Sequence, residues 1–288
     1  MPEAQSFGTD IGNDPTDRSE KIAVLGGGVM GETILAGILA AGWSAERVVL
    51  TDLRAEVSQR VSERHGVLIA SSNKDAVRDA DVVVLAVKPQ DAAEILAEIS
   101  PALPPACLII SIAAGLSTDW FAQRLPDQQP VVRVMPNTPA VVGQGMAAIS
   151  GGAHAQESHL DLTAALLAQT GRVLQVPEKA QDAVVGISGS GPAYAFYIAD
   201  ALSEAGVLLG LTRDESRELA VQTLLGAATL LQKTGDHPAL ARERVSSPGG
   251  TTIAALRELD ERGVRAAIIA AAVAAHDRSV ELGSELGK

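Results

Sequence analysis

Six residues near the start of the chain, Gly26-Gly27-Gly28-Val29-Met30-Gly31, limit what it can fold into more than any others. They satisfy G-x-G-x-x-G, which is a weak pattern alone. Here the pattern directly follows an apolar run at residues 21–25. It opens a stretch with apolar residues at Ile34, Leu35, Ile38 and Leu39, the spacing of one helix face. Strand, glycine turn and helix in that order are the context of a dinucleotide-binding βαβ unit. Gly26 permits the tight turn, Gly28 lets backbone approach a pyrophosphate, and Gly31 lets helix pack closely on strand. The helix start, with Val29 and Met30, brings free N–H groups and a partial positive charge to the same place.

Past the fingerprint, short apolar runs alternate with helical stretches. Strands are expected at residues 21–25, 47–51, 67–70, 81–87, 107–112, 131–135, 146–150 and 173–176. Most carry β-branched residues on both faces, which favours a parallel sheet covered on both sides. Helices are expected between them at 30–41, 90–98 and 156–169, a doubly wound α/β rhythm. After about residue 181 the alternation stops and long Ala- and Leu-rich stretches follow. Pro192 suits the first turn of a helix reaching about Leu209. Thr212 and Glu215 form a capping box for the next, which runs to about Lys233 and is ended by residues 235–238. A short helix follows Thr251, and a last one covers 264–282. The reading is therefore a Rossmann-type domain at 21–180 and an all-α domain at 181–288, preceded by a disordered tail at 1–20. Small apolar faces on the late helices invite pairing into a homodimer, with a monomeric bundle as the alternative.

Composition excludes several partners. A net charge of −12 argues against nucleic acid, which needs a basic footprint, and against anionic lipid. No run reaches the roughly 20 apolar residues that span a bilayer. Cys107 is the only cysteine, so intramolecular disulfides and thiolate clusters are ruled out and a reducing cytoplasm is expected. His154 and His159 lie five apart, off a common helix face, and no metal site is expected.

Asp52 closes the second expected strand, about 20 residues past the glycines, where an acid can bind the ribose 2′-hydroxyl of NAD. Arg54 could instead hold a 2′-phosphate, and Thr51 could donate to either. NADH and NADPH both remain open. Ala86, Val87, Lys88 and Pro89 end the fourth strand at the edge where ligands sit in open α/β sheets. Lys88 is a poor candidate for a catalytic acid beside the simpler role of ordering that turn.

Four further segments carry a family likeness: Ser111-Ile112-Ala113-Ala114-Gly115, Met135-Pro136-Asn137-Thr138-Pro139, Ser188-Gly189-Ser190-Gly191-Pro192-Ala193-Tyr194, and Ser246-Ser247-Pro248-Gly249-Gly250-Thr251-Thr252. With the glycine fingerprint and Ala-Val-Lys-Pro, in this order, the chain resembles pyrroline-5-carboxylate reductase from about Lys21 to Leu282. The resemblance implies a Rossmann domain, a helical dimerisation domain and assembly as dimers that can build decamers. It implies reduction of (S)-1-pyrroline-5-carboxylate to L-proline with NADPH or NADH, the last step of proline biosynthesis. Asn73 would approach the adenosine side of the cofactor. Ala86 to Pro89, with Ala113, Ala114 and Gly115, would line its nicotinamide half. Val245, Gly249, Gly250, Thr251 and Thr252 would hold the substrate, with Thr252 as orienter and proton relay. Asp52 departs from the pattern, since many members carry Ser or Arg nearby to suit NADPH. Asn137 could face the nicotinamide or order its loop.

Two other readings have less support. A β-hydroxyacid or related imine reductase would place a catalytic Lys or Asp on the helix that begins at Pro192; no Lys is there, and Asp200 is the nearest acid. A non-catalytic nucleotide sensor would not need the Ser-Pro-Gly-Gly-Thr-Thr turn.

Overall fold

The structure, a computed structural model, describes residues 6–7 and 18–286. The expected disorder at residues 1–5 and 8–17 falls outside them. The rest of the expected tail is structured. Ser6–Phe7 (β1) pairs with a late strand. Arg18 lies over the Trp43 ring at 4.4 Å, and Trp43 Nε1 donates to Glu20 at 2.9 Å. The pairing partner and the tryptophan are both distant in sequence, so no local pattern reveals them.

Eight more strands follow: β2 (Ile22–Leu25), β3 (Val48–Thr51), β4 (Leu68–Ile69), β5 (Val82–Leu85), β6 (Leu108–Ser111), β7 (Val131–Met135), β8 (Gly145–Gly151) and β9 (Gly171–Gln175). Each overlaps an expected run. They form one sheet in the order β1-β9-β8-β7-β6-β5-β2-β3-β4. The pairs from β4 to β7 are parallel, as is β8 with β9. The expectation of a parallel sheet needs correction at β1–β9, which is antiparallel, and at β7–β8, which is antiparallel too. Only a short turn at Thr138–Val142 joins β7 to β8, too little chain for a crossover helix.

Alternate residues of the central strands feed two cores. Ile22, Val24, Val82, Val84, Leu108 and Ile110 enter one. Ala23, Leu25, Val83, Leu85 and Ile109 enter the other. Removing each large side chain from water is worth about 1.5–3 kcal/mol, so both faces hold the sheet in place. The covering helices are α1 (Val29–Ala40), α2 (Ala55–His65), α3 (Asn73–Val77), α4 (Ala92–Ile99), α5 (Thr118–Ala122), α6 (Glu157–Leu167) and α7 (Gln181–Val184).

The remaining helices are α8 (Gly191–Leu208), α9 (Arg213–Thr234), α10 (Pro238–Arg244), α11 (Thr251–Glu261) and α12 (Val264–Leu286). The chain divides into two compact units. One runs through Gly189 and resumes at Ala275; the other is Ser190–Ala274. By compactness the division falls at residue 190, and the end of α12 groups with the sheet unit. Just before the boundary, Val185–Gly189 forms a π-helical turn. In the second unit, Thr212 caps α9 as expected, with Glu215 completing the box. Gly206 of α8 approaches Ser216 so closely that a Cβ would sit 2.5 Å from its hydroxyl. Pro238, expected to help end α9, starts α10 beneath a His237 N-cap. Proline at the first helical turn does either job.

Candidate active site

Register aligns the carboxyl ends of four parallel strands. Leu25 is level with Thr51 and Leu85, and Leu85 with Ser111. The segments that follow, at Gly26, Asp52, Ala86 and Ile112, therefore leave the sheet side by side along one edge. This is the edge at which open α/β sheets bind ligands.

The fingerprint glycines divide by what surrounds them. Gly26 has φ +104°, and a Cβ there would lie 2.4 Å from the Ala86 carbonyl oxygen; one on Gly31 would lie 2.0 Å from the Gly26 carbonyl oxygen. Both are closed by backbone. A Cβ on Gly28 would have nothing within 4 Å. Gly28 is the N-cap of α1 and supplies no side-chain cap, so the amides of the first turn have no intrahelical acceptor. Glu32, the acid of that turn, is drawn away. Burial raises its pKa, but hydrogen bonds from Arg64 and His65 and the charge of Arg60 hold it below the ordinary carboxylate range. An anion approaching Gly28 thus meets bare N–H groups and open space, which fits a dinucleotide pyrophosphate.

Asp52 is turned into this loop. Its Oδ2 accepts from Gly27 N at 2.8 Å, and its Oδ1 accepts from Arg54 N at 3.0 Å. The Arg54 side chain is largely exposed and its Nε is 3.5 Å from the same carboxylate. Asn73 is held at both ends of its amide. Its Oδ1 accepts from Thr51 Oγ1 at 2.6 Å, and its Nδ2 donates to Glu98 Oε2 at 2.8 Å. Glu98 escaped the sequence reading because it lies on α4, 25 residues further on.

The next two turns are held from behind. Ala86 N donates to Leu25 O at 2.8 Å, and Lys88 points out of the turn, exposed. The buried Ser111 hydroxyl accepts from Ala113 N at 3.2 Å, and Gly115 has φ +81°. Ala114 at the loop's tip is exposed. Beyond it, the Thr118 amide donates to Glu178 Oε1 at 2.7 Å, and its hydroxyl donates to Oε2. Arg133 Nη1 reaches the same carboxylate at 3.4 Å. This brace joins groups 60 residues apart, and nothing local in the sequence announces it. Asn137 proves to be a loop-ordering residue. Its Oδ1 accepts from Met146 N at 2.8 Å, and its Nδ2 donates to Ser188 O at 3.1 Å, in the π-helical turn. Cys107 is buried, and burial with the nearby Asp81 charge pushes its thiol up to about 12, so it offers no nucleophile.

The expected substrate residues gather in the second unit. Val245 ends α10, Gly249 turns with φ +68°, and Gly250 N donates to Ser247 O at 3.0 Å. Gly250 is the N-cap of α11 and no side chain caps that helix. Capping is therefore not what Thr251 and Thr252 do. The first turn of α11 keeps its amides free for an anion.

Among the described residues no helix is long and apolar enough to cross a membrane. Comparison with known proteins agrees with the two-part reading. The family described as pyrroline-5-carboxylate reductase dimerisation matches residues 178–282, and the one described as NADP oxidoreductase coenzyme F420-dependent matches residues 21–115. A pyrroline-5-carboxylate reductase of Corynebacterium melassecola is 44% identical over 91% of this chain and 98% of its own length. The solved pyrroline-5-carboxylate reductase of Coxiella burnetii superposes with a TM-score of 0.87 at 34% identity, covering 92% of this chain and 99% of that one. The Plasmodium falciparum pyrroline carboxylate reductase, solved with NADP bound, superposes with a TM-score of 0.81 at 28% identity, covering 92% and 98%. Likeness along nearly the whole of both chains, over a glycine turn left open only at Gly28, leads to one statement: the chain belongs to the pyrroline-5-carboxylate reductase family.

Proposed function

We propose that this protein reduces (S)-1-pyrroline-5-carboxylate to L-proline with NADH or NADPH, the closing step of proline biosynthesis, in the cytoplasm. The observation that carries the reading is the bare first turn of α1, open at Gly28 and closed by backbone at Gly26 and Gly31. Around it, Gly28, Val29 and Met30 hold the pyrophosphate. Thr51, Asp52, Arg54 and Asn73 take the adenosine ribose. Ala86, Val87, Lys88 and Pro89, with Ala113, Ala114 and Gly115, wall the nicotinamide end. The reduced nicotinamide, when bound, supplies a hydride for the imine carbon.

Everything else asked of the chain is binding, orientation and exclusion of water. The free amides of the first turn of α11, from Thr251 on, take the substrate carboxylate, with the Gly249-Gly250 turn bringing the backbone close. The helix dipole adds to their pull. Val245 packs beside the ring, and the Thr252 hydroxyl orients the ring nitrogen. The imine is basic enough to carry its own proton near neutral pH, so a strong protein acid is not required. The working unit is a homodimer, and dimers build a decamer.

The test is substrate-dependent oxidation of NADH and NADPH by the purified protein. Normal nucleotide binding without turnover on pyrroline-5-carboxylate would remove the reading. Asp52, anchored beside the ribose end, sets the preference between the two nucleotides, because its charge repels a 2′-phosphate. Asp52→Ser is expected to move the ratio of kcat/KM values towards NADPH. An unchanged ratio excludes Asp52 from nucleotide selection.

A further inference from the structure

Glycine inside a helix costs roughly 0.5–1 kcal/mol relative to alanine, so Gly283, in the last turns of α12, invites a reason. The reason is contact. A Cβ on Gly283 would stand 3.2 Å from the Gly115 carbonyl oxygen. A Cβ on Gly115 would stand 3.4 Å from Leu286 Cδ1 and 3.6 Å from Gly283 N. Backbone therefore lies on backbone between the end of the chain and the loop that follows β6. Leu286 packs against the core cluster that contains Ala113 and Leu116. Four residues before Gly283, the nearly buried Ser279 donates to Asp182 Oδ1 at 2.7 Å. Ser279, Gly283 and Leu286 sit at i, i+4 and i+7, one face of the helix. The hydroxyl anchors that face to α7, and the glycine and leucine press it against the loop.

We propose that the last turns of α12 position the Ala113–Gly115 loop against the nicotinamide end of the cofactor, with Gly283 as the positioning residue. This rests on the reading that the loop walls the nicotinamide. The loop is fixed on its other sides by Ser111 and by Glu178 on Thr118. The helix end closes the remaining side and sets how far the exposed Ala114 stands from the sheet edge. A side chain at position 283 would push the loop by tenths of an ångström or more, and the adenosine end would feel nothing.

The test compares the affinity of the full-length protein for the intact reduced dinucleotide with that for ADP-ribose, which lacks the nicotinamide. Gly283→Val is expected to keep ADP-ribose affinity, to weaken the dinucleotide relative to it, and to lower kcat by about tenfold or more, as small misplacements of reacting groups do. Leu286→Ala removes the contact without a clash and should shift the same affinity ratio less. Ala114→Leu places bulk on the loop itself and reports whether the loop meets the nicotinamide at all. If Ala114→Leu shifts the ratio and neither helix variant does, the positioning role is overturned while the cofactor reading stands. If Ala114→Leu also leaves the ratio unchanged, the nicotinamide assignment fails and this proposal fails with it. Should Gly283→Val lose ADP-ribose as well, Leu286→Ala decides: a shifted ratio supports the role, an unshifted one rejects it.

Discussion

The two units bury their apolar residues very differently. In the sheet unit the central strands are sealed on both faces, with Ile22, Leu25, Val83, Leu85 and Ile109 at 0% exposure. In the helical unit the buried side chains are small, such as Ser216 and Ala220, while Leu208 is 88% exposed, Tyr197 79% and Phe196 67%. The first unit contains its own core. The second presents the materials of a core without enclosing one, and patches of that extent mark association surfaces. This is the physical counterpart of its match to a dimerisation family. The protein is an oligomer because its helical unit lacks a sealed interior of its own.

The largest expected effect breaks that dependence. Val221 and Leu225 lie one turn apart on the exposed side of α9. Replacing both with Asp puts two charges where a second copy should bury apolar surface. Sedimentation should then show monomers, with activity lost and the helical signal melting early. A dimer of unaltered size would refute the contrast between the units. Next come two glycine variants in the self-contained unit, chosen to separate folding from binding. Gly31→Val forces a side chain into the Gly26 carbonyl and should destabilise by about 1–3 kcal/mol or more, as overpacking does. A Cβ on Gly28 meets nothing within 4 Å, so for Gly28→Val the melting temperature should hold while dinucleotide affinity falls by two orders of magnitude or so, by blocking close approach to the pyrophosphate. If Gly28→Val unfolds the protein, the space above Gly28 is not a ligand's.

The same contrast explains what the sequence could reveal. Period, glycine spacing and caps are local, so the strand positions, the fingerprint and the Thr212 box were all legible. What bears on the site but stayed hidden depends on residues brought together by the fold. Glu98 reaches Asn73, Glu178 reaches Thr118, and Gly283 reaches Gly115 across separations no pattern spans. Asp52 was legible as an acid at a ribose position, but not as the acceptor for the Gly27 amide. The antiparallel β8 depended on a connection too short for a helix, which a strand-by-strand reading does not weigh.

The smallest expected effect distinguishes the units by pH. Each has a helix whose N-cap backbone amide is satisfied by the side chain three residues on. In the sheet unit, Gln156 N donates to His159 Nδ1 at 2.9 Å at the start of α6. In the helical unit, Thr212 N donates to Glu215 Oε2 at 2.8 Å at the start of α9. The first box needs a neutral imidazole, and burial lowers the His159 pKa below its ordinary 6.5. Its contribution is therefore complete above pH 6.5 and is lost as pH falls from there through the folded value. The second needs a carboxylate, and the Thr212 hydroxyl and amide hold Glu215 below its ordinary 4.5. Its contribution survives until pH drops beneath that figure. Hydrogen exchange, corrected for intrinsic rates, should show the first turn of α6 losing protection as pH falls below 6.5, while the first turn of α9 does not change down to pH 4.5. His159→Gln should flatten the α6 response. Equal losses at both turns over that interval would mean that association between copies, and not the two caps, governs the acid response.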